Sequence, residues 1–235
     1  MDAQNIVVTG ASRGLGESIA LRLSAKGHRI FALARTLSQL EDVASRAEGE
    51  VVPMAMDVTD PDQIKETYAK IESDHGPIHV LVNNAAVVQN IKFVDQDLET
   101  IDSIIDINLK GTMYCTRLLL PYMIPRKQGR IINVSSVAGT RGIPGQASYC
   151  ASKHGMVGFG DTIAQELIEH NILVTTICPG AIDTPLWDPA TNPYPGDLAG
   201  VIQPDELAGL IEFLLAQPTH TLYKRLVMFP TNEWH

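Results

Sequence analysis

Short β-branched runs alternate along the chain with longer amphipathic stretches. The runs occupy 6–8, 29–33, 51–54, 79–82, 130–134, 173–177 and 225–229. Their apolar character is continuous rather than alternating, which predicts strands buried on both faces, as in a parallel sheet covered by helices. Between them, 15–26, 61–74, 98–123, 146–169 and 204–216 read as helices. Asp60-Pro61 and Gln203-Pro204-Asp205 mark helix starts, because proline fits a first turn whose N–H has no partner anyway. Seven strands alternating with helices predict an α/β fold: three layers around a doubly wound, seven-stranded parallel sheet. No linker or shift of composition interrupts the pattern, so a single domain over 1–235 is expected. The least regular stretch, 183–203, holds Pro185, Pro189, Pro193 and Pro195 with Trp187 and Tyr194. At about twenty residues it is longer than an ordinary connection, which predicts a lid over a functional site.

Charge narrows the classes of partner. The 235 residues carry 18 Lys+Arg against 27 Asp+Glu, a net charge of −9. A field of that sign repels phosphate backbones and anionic lipid, which argues against a general nucleic-acid binder or a basic membrane adaptor. No stretch approaches the ~18–20 uninterrupted apolar residues of a membrane span, and Met1-Asp2-Ala3-Gln4 does not open a signal peptide. Cys115, Cys150 and Cys178 are odd in number and form no CxxC or zinc spacing, so reduced thiols in a cytoplasmic protein are expected. No metal site is expected: His75 and His79 are four apart, but Gly76-Pro77 between them breaks any helix.

Candidate chemistry begins where the first strand ends. Thr9-Gly10-Ala11-Ser12-Arg13-Gly14-Leu15-Gly16 joins that strand to a helix. Glycines there permit a tight turn and a close approach to a pyrophosphate, and the helix N-terminus offers unpaired N–H groups to the anion. The spacing is GxxxGxG rather than GxGxxG. Gly10 to Gly14 also satisfies G-x-S-x-G, which would make Ser12 a hydrolase nucleophile. That elbow needs earlier strands to build its sheet, and only nine residues precede Gly10. At the end of the second strand a dinucleotide fold places an acid for the ribose 2′-hydroxyl, whereas this chain has Leu33-Ala34-Arg35. Arg35 and Arg13 suit a 2′-phosphate, so NADP(H) is expected in preference to NAD(H).

Further on, Ser135-Ser136 closes a strand and Tyr149-Cys150-Ala151-Ser152-Lys153 opens a helix. Tyr149 and Lys153, four apart, share one helical face. A nearby ammonium favours phenolate and is expected to lower the tyrosine pKa, which suits Tyr149 to donating a proton to a carbonyl oxygen. Ser136 would hold the same oxygen.

Thr9–Gly16, Asp57-Val58, Asn83-Asn84-Ala85, Asn108, Ser136, Tyr149–Lys153 and Pro179-Gly180 stand in the order and spacing of the short-chain dehydrogenase/reductase family. The chain resembles its single-domain, NADPH-dependent members with a Rossmann fold, nearest in motif to 3-oxoacyl and carbonyl reductases. The resemblance implies Tyr149 as the acid–base residue, tuned by Lys153, which would also hold the nicotinamide ribose. Ser136 would orient the carbonyl, and Asn108 would anchor a water-linked proton relay. Gly10, Ser12, Arg13, Gly14, Leu15 and Gly16 would cradle the pyrophosphate, with Arg35 beyond them. Asp57 and Val58 would meet the adenine, and Asn83 and Ala85 would lie against the cofactor. Pro179, Gly180, Ile182 and Thr184 would support the nicotinamide amide and pyrophosphate. A homodimer or homotetramer packed through 98–123 and 146–169 is implied as well.

Two departures stand out. Ala86 replaces the family's glycine after Asn-Asn-Ala, and Met228-Phe229-Pro230-Thr231-Asn232-Glu233-Trp234-His235 replaces its glycine-rich ending. The stretch 183–203 carries Trp187, Leu186, Tyr194 and Leu198 and neither Lys nor Arg, which favours an uncharged, partly apolar ketone or aldehyde. A 3-oxoacyl thioester on an acidic carrier is the alternative, with Arg126 and Lys127 as its basic rim. A catalytically silent, cofactor-binding regulator is the non-enzymatic one.

Overall fold

The computed structural model describes residues 3–190, 192–194 and 196–233; Pro195, Trp234 and His235 lie outside them. Seven strands form one sheet: β1 (Asn5–Thr9), β2 (Arg29–Ala34), β3 (Val51–Ala55), β4 (Ile78–Asn83), β5 (Gly129–Val134), β6 (Ile172–Pro179) and β7 (Arg225–Met228). The order is β3-β2-β1-β4-β5-β6-β7, and every neighbouring pair is parallel. Parallel pairing needs a crossover after each strand, and the helices supply it.

The continuous apolar runs divide between two cores by strict alternation. Ile6, Val8, Ile30, Ala32, Val80 and Val82 face α1 (Gly14–Ala25) and α7 (Pro204–Leu215), meeting Ile19, Leu23, Leu207 and Ile211. Val7, Phe31, Leu33, Leu81 and Ile131 face the other way, onto Tyr68 and Ile71 of α3 (Pro61–Asp74), Leu119 and Met123 of α5 (Gly111–Arg126), and Ile163 of α6 (Ala147–Glu166). Each fully buried Val, Leu, Ile, Phe or Met side chain among them contributes about 1.5–3 kcal/mol by leaving water. The expected helix starts are present. Pro61 opens α3, with the Asp60 carboxylate accepting from the N–H groups of Asp62 and Gln63. At α7 the Glu206 carboxylate accepts from the N–H of Gln203 at 2.6 Å.

Three helical expectations need correction. The helix α2 (Leu37–Ser45) was not foreseen, because only Leu40 and Val43 of it are buried, too thin a stripe to show as a period. The stretch 98–123 is not one helix but α4 (Leu98–Ile105), a widened π turn at Asp106–Lys110, and α5, which runs on to Arg126. That turn carries Asn108, fully buried, a placement an unbroken amphipathic repeat does not predict. Of the three α6 glycines expected to allow close packing, Gly155 and Gly160 do so. A Cβ at Gly160 would stand 2.2 Å from Thr176 Oγ1, whereas Gly158 faces open space.

At the amino end of β1, two histidines hold the start of the strand. The N–H of Gln4 donates to Nδ1 of His28 (3.2 Å) and the N–H of Asn5 donates to Nδ1 of His79 (3.0 Å). Burial lowers both pKa values below 6.5, and Arg126 lowers His79 further. Protonated imidazoles cannot accept these bonds. The unfolded chain therefore binds more protons below about pH 6.5, and the stability present above it is lost as pH falls through the folded values. The melting temperature is expected to drop between pH 7 and 5, and to drop less in a His28→Gln/His79→Gln protein. Equal slopes in the two proteins would refute the assignment.

Candidate active site

A cleft of ≈ 470 Å³ opens at the carboxyl ends of the strands, where the strand order reverses between β1 and β4. Open α/β sheets bind their ligands at that point. One end is the turn from β1 to α1. Gly10 and Gly14 adopt φ of +66° and +58°, and a Cβ at Gly16 would come 2.2 Å from the Gly10 carbonyl oxygen. Asn84 Nδ2 donates to the carbonyls of Thr9 (2.9 Å) and Gly10 (3.2 Å), while Thr9 Oγ1 accepts from the N–H groups of Asn84 and Ala85. The tips of β1 and β4 are thereby tied together. Arg13 gives α1 no side-chain cap, so the first-turn N–H groups and the positive end of the helix dipole are left for an anion.

Gly10, Ser12, Arg13, Gly14, Leu15 and Gly16 all line this end, followed by Arg35, Thr36, Asp57 and Val58. The Asp57 carboxylate is turned onto Thr59, accepting from its N–H at 2.9 Å and its hydroxyl at 2.8 Å. Asn83 is not on the cleft. Its Nδ2 donates to Thr116 Oγ1 and Asn133 Oδ1 behind β4, and Asn84, not Asn83, lines the wall beside Ala85. Ala86 lines it too.

In the middle of the cleft stand Ser136, Tyr149 and Lys153. Tyr149 is 6% exposed and Lys153 1%. Lys153 Nζ donates to the carbonyl of Val134 at 2.9 Å and lies 5.6 Å from the Tyr149 ring centre. Ser135 Oγ instead donates to the Lys153 carbonyl, fixing the helix against β5, which leaves Ser136 as the serine beside the phenol. Ser136 Oγ accepts from the N–H of Ala138. The sequence led to a tyrosine pKa lowered by the ammonium; burial reverses that. It pushes Tyr149 up to about 12, against a smaller opposing pull from its hydrogen bond with Ser136, and it brings Lys153 down to about 8. The phenol is thus held protonated, with a lysine beside it whose pKa has fallen to about 8.

Asn108 lies behind this group rather than on the cleft wall. Its Oδ1 accepts from the N–H of Val87 at 2.8 Å, and its Nδ2 donates to the Val87 carbonyl (2.9 Å) and to Ser152 Oγ (3.1 Å). It couples the β4 exit to α6, one turn from Tyr149.

Pro179, Gly180, Ile182 and Thr184 line the far end, with Leu186, Trp187 and Tyr194 of 183–203 closing over it. The Trp187 and Tyr194 rings meet at 5.1 Å, and Asn192 Oδ1 accepts from the N–H of Asn90 at 2.8 Å. Leu198 is not on the wall; it is 36% exposed. Arg126 and Lys127 are no rim either. Arg126 pairs with Glu72 and donates to the carbonyl of Ile78, at the opposite end of β4. This end of the cleft contains instead three polar residues that sequence reasoning missed, Arg141, Gln146 and Glu233, and the other end adds Thr36 and Gln39. None of the described residues lining the cleft is a histidine, the base that a serine-hydrolase elbow would pair with Ser12.

The family described as short chain dehydrogenase matches residues 4–194. The chain belongs to that family. Among its relatives, the 3-oxoacyl-acyl-carrier-protein reductase FabG of Thermotoga maritima is 39% identical over 191 residues, 80% of this chain and 78% of that one. The 3-oxoacyl-acyl-carrier-protein reductase of Synechocystis is 37% identical over 228 residues, covering 93% and 91%. Among solved structures, the closed form of a serine dehydrogenase complexed with NADP+ superposes with a TM-score of 0.90 at 27% identity, over 99% of this chain and 97% of that one. The chain is thus a short-chain oxidoreductase with a doubly wound Rossmann sheet. Among the described residues, no helix is long and apolar enough to cross a membrane.

Proposed function

We propose that this short-chain dehydrogenase moves a hydride between NADP(H) and a carbonyl or secondary alcohol, with Tyr149 as its acid–base residue. The observation that carries the proposal is the protonated, buried phenol of Tyr149 beside Ser136 and Lys153, in the same cleft as a glycine cradle for an anion. The cradle fits a dinucleotide: Gly10, Gly14 and Gly16 leave room that side chains would fill. Arg13 and Arg35 supply the charge for a 2′-phosphate, with Leu15, Asp57, Val58 and Ala85 along the wall and Pro179, Gly180, Ile182 and Thr184 at the nicotinamide end. When bound, the reduced cofactor supplies the hydride to the carbonyl carbon. Ser136 holds the carbonyl oxygen, and Tyr149 gives that oxygen its proton. Lys153 holds positive charge near the phenol below about pH 8, and Asn108 is assigned to the proton relay behind it.

A panel of uncharged ketones and aldehydes, followed by NADPH absorbance, tests the reading; no turnover of any carbonyl, alcohol or thioester defeats it. A second reading, a 3-oxoacyl-thioester reductase, is favoured by the two reductase relatives. The position of Arg126 and Lys127, away from the cleft, weighs against it. An acetoacetyl thioester in the panel separates the two.

Arg35 carries the cofactor preference. A charge-assisted hydrogen bond contributes about 1.5–3 kcal/mol, so Arg35→Ala is expected to raise the KM for NADPH by about 10- to 100-fold and to leave that for NADH nearly unchanged. Comparable KM values for the two cofactors in the wild type would end the assignment. Exposed Phe93 and Val94 just before α4 and exposed Leu98 at its start support assembly into a homodimer or homotetramer through α4, α5 and α6; a sharp elution at monomer mass would contradict it. The three buried thiols, Cys115, Cys150 and Cys178, support a reducing, cytoplasmic setting.

A further inference from the structure

The segment after β7 turns back and places a carboxylate in the cleft. Glu233 Oε2 accepts from the N–H of Ala181 at 2.6 Å, and Oε1 pairs with Arg141 Nη2 at 3.2 Å. Gly180 makes the approach possible, since a Cβ there would stand 2.6 Å from both Glu233 Oε2 and Pro230 Cδ. Arg141 lies over the Phe229 ring at 5.2 Å, so the same segment contacts the guanidinium twice, through Phe229 and through Glu233. Glu233 lines the cleft with Ser136, Tyr149, Trp187 and Tyr194, and its side chain is only 17% exposed. The other carboxylate on the wall, Asp57, is at the opposite end and turned onto Thr59.

We infer that Glu233 is a specificity-determining residue that selects uncharged carbonyl substrates over anionic ones. This rests on the carbonyl-reductase reading above and goes beyond it by assigning the charge selection to one residue outside the family motifs. The carboxylate acts in two ways. It offsets the charge of Arg141, which lines the same cleft, and it repels a second carboxylate brought beside Tyr149. Two like charges about 6 Å apart at an effective dielectric of about 20 repel by roughly two powers of ten in affinity. Partial neutralisation by Arg141 reduces this to about tenfold.

Methyl acetoacetate and acetoacetate differ in that one charge and serve as the probes. The readout is the ratio of kcat/KM for ester over acid, with NADPH as reductant. In Glu233→Gln the amide oxygen still accepts from Ala181 N–H, but the charge is gone, and the ratio is expected to fall at least about tenfold. Glu233→Asp keeps the charge and is expected to keep the ratio. Adding Arg141→Gln to Glu233→Gln is expected to restore part of the preference for the ester. If both probes are reduced and Glu233→Gln leaves the ratio within about twofold, or Glu233→Asp shifts it as far, the inference is overturned. If the wild type reduces neither these nor any other carbonyl, the reductase reading itself falls, and the inference with it.

Discussion

The Tyr149→Phe protein is expected to bind NADPH as the wild type does and to reduce carbonyls about 10³-fold more slowly, within the range for loss of a positioned general acid. The substitution removes one oxygen and leaves the ring. That ring packs with Ile104, Ala138 and Cys150, against Val87, Val88 and Ile143, contacts phenylalanine retains, so the fold and the cradle around Gly10–Gly16 are preserved. What is lost is a hydroxyl that burial holds protonated up to about pH 12, together with its hydrogen bond to Ser136. Single-turnover absorbance at 340 nm measures the chemical step, and cofactor fluorescence measures binding. Unchanged turnover would mean that a different group supplies the proton; lost binding would mean that Tyr149 serves chiefly to hold the cofactor.

Gly16→Ala is expected to weaken NADPH binding about 100-fold and to lower stability by about 1–3 kcal/mol, the cost typical of overpacking. The added methyl would lie 2.2 Å from the Gly10 oxygen and 2.6 Å from Asn84 Nδ2. Neither yields easily. The Gly10 carbonyl is backbone in a turn that already needs φ of +66°, and Asn84 is tied to Thr9 and Gly10 at once. The turn must therefore open, and the first-turn N–H groups of α1 move out of register with an anion. Gly158→Ala is the matching control. It adds the same methyl to a helix where nothing lies within 4 Å, and it is expected to be neutral or to stabilise by up to about 1 kcal/mol. Titration of NADPH fluorescence and thermal melts check both. Equal behaviour of the two variants would remove the steric argument.

All seven strands were legible from their apolar runs; the five inner ones, buried on both faces, leave a continuous signal, and the edge strands β3 and β7 carry apolar runs although they stay partly exposed. The helices Pro61–Asp74 and α7 were legible from their proline starts. α2 was not, because two buried residues in nine make no period. The π turn was not, because one widened turn leaves the repeat on either side intact. Within the site, Ser136, Tyr149, Lys153 and the glycine turn sit in local spacings that can be read directly. Asn83 was assigned to the wall from its motif, yet its side chain points behind β4, since neighbouring positions of a strand face opposite ways.

What the chain by itself determined is therefore its seven strands, the glycine turn and the residue types at the strand tips, each encoded within a few neighbouring residues. The tertiary structure alone decided the electrostatics. Burial, not the neighbouring ammonium, sets the Tyr149 pKa, and burial is a property of everything packed around it. Packing also decided that Arg126 lies far from the cleft while Arg141 lies in it. Glu233, 92 residues further on, meets Arg141 there, a contact that no local spacing in the sequence can record.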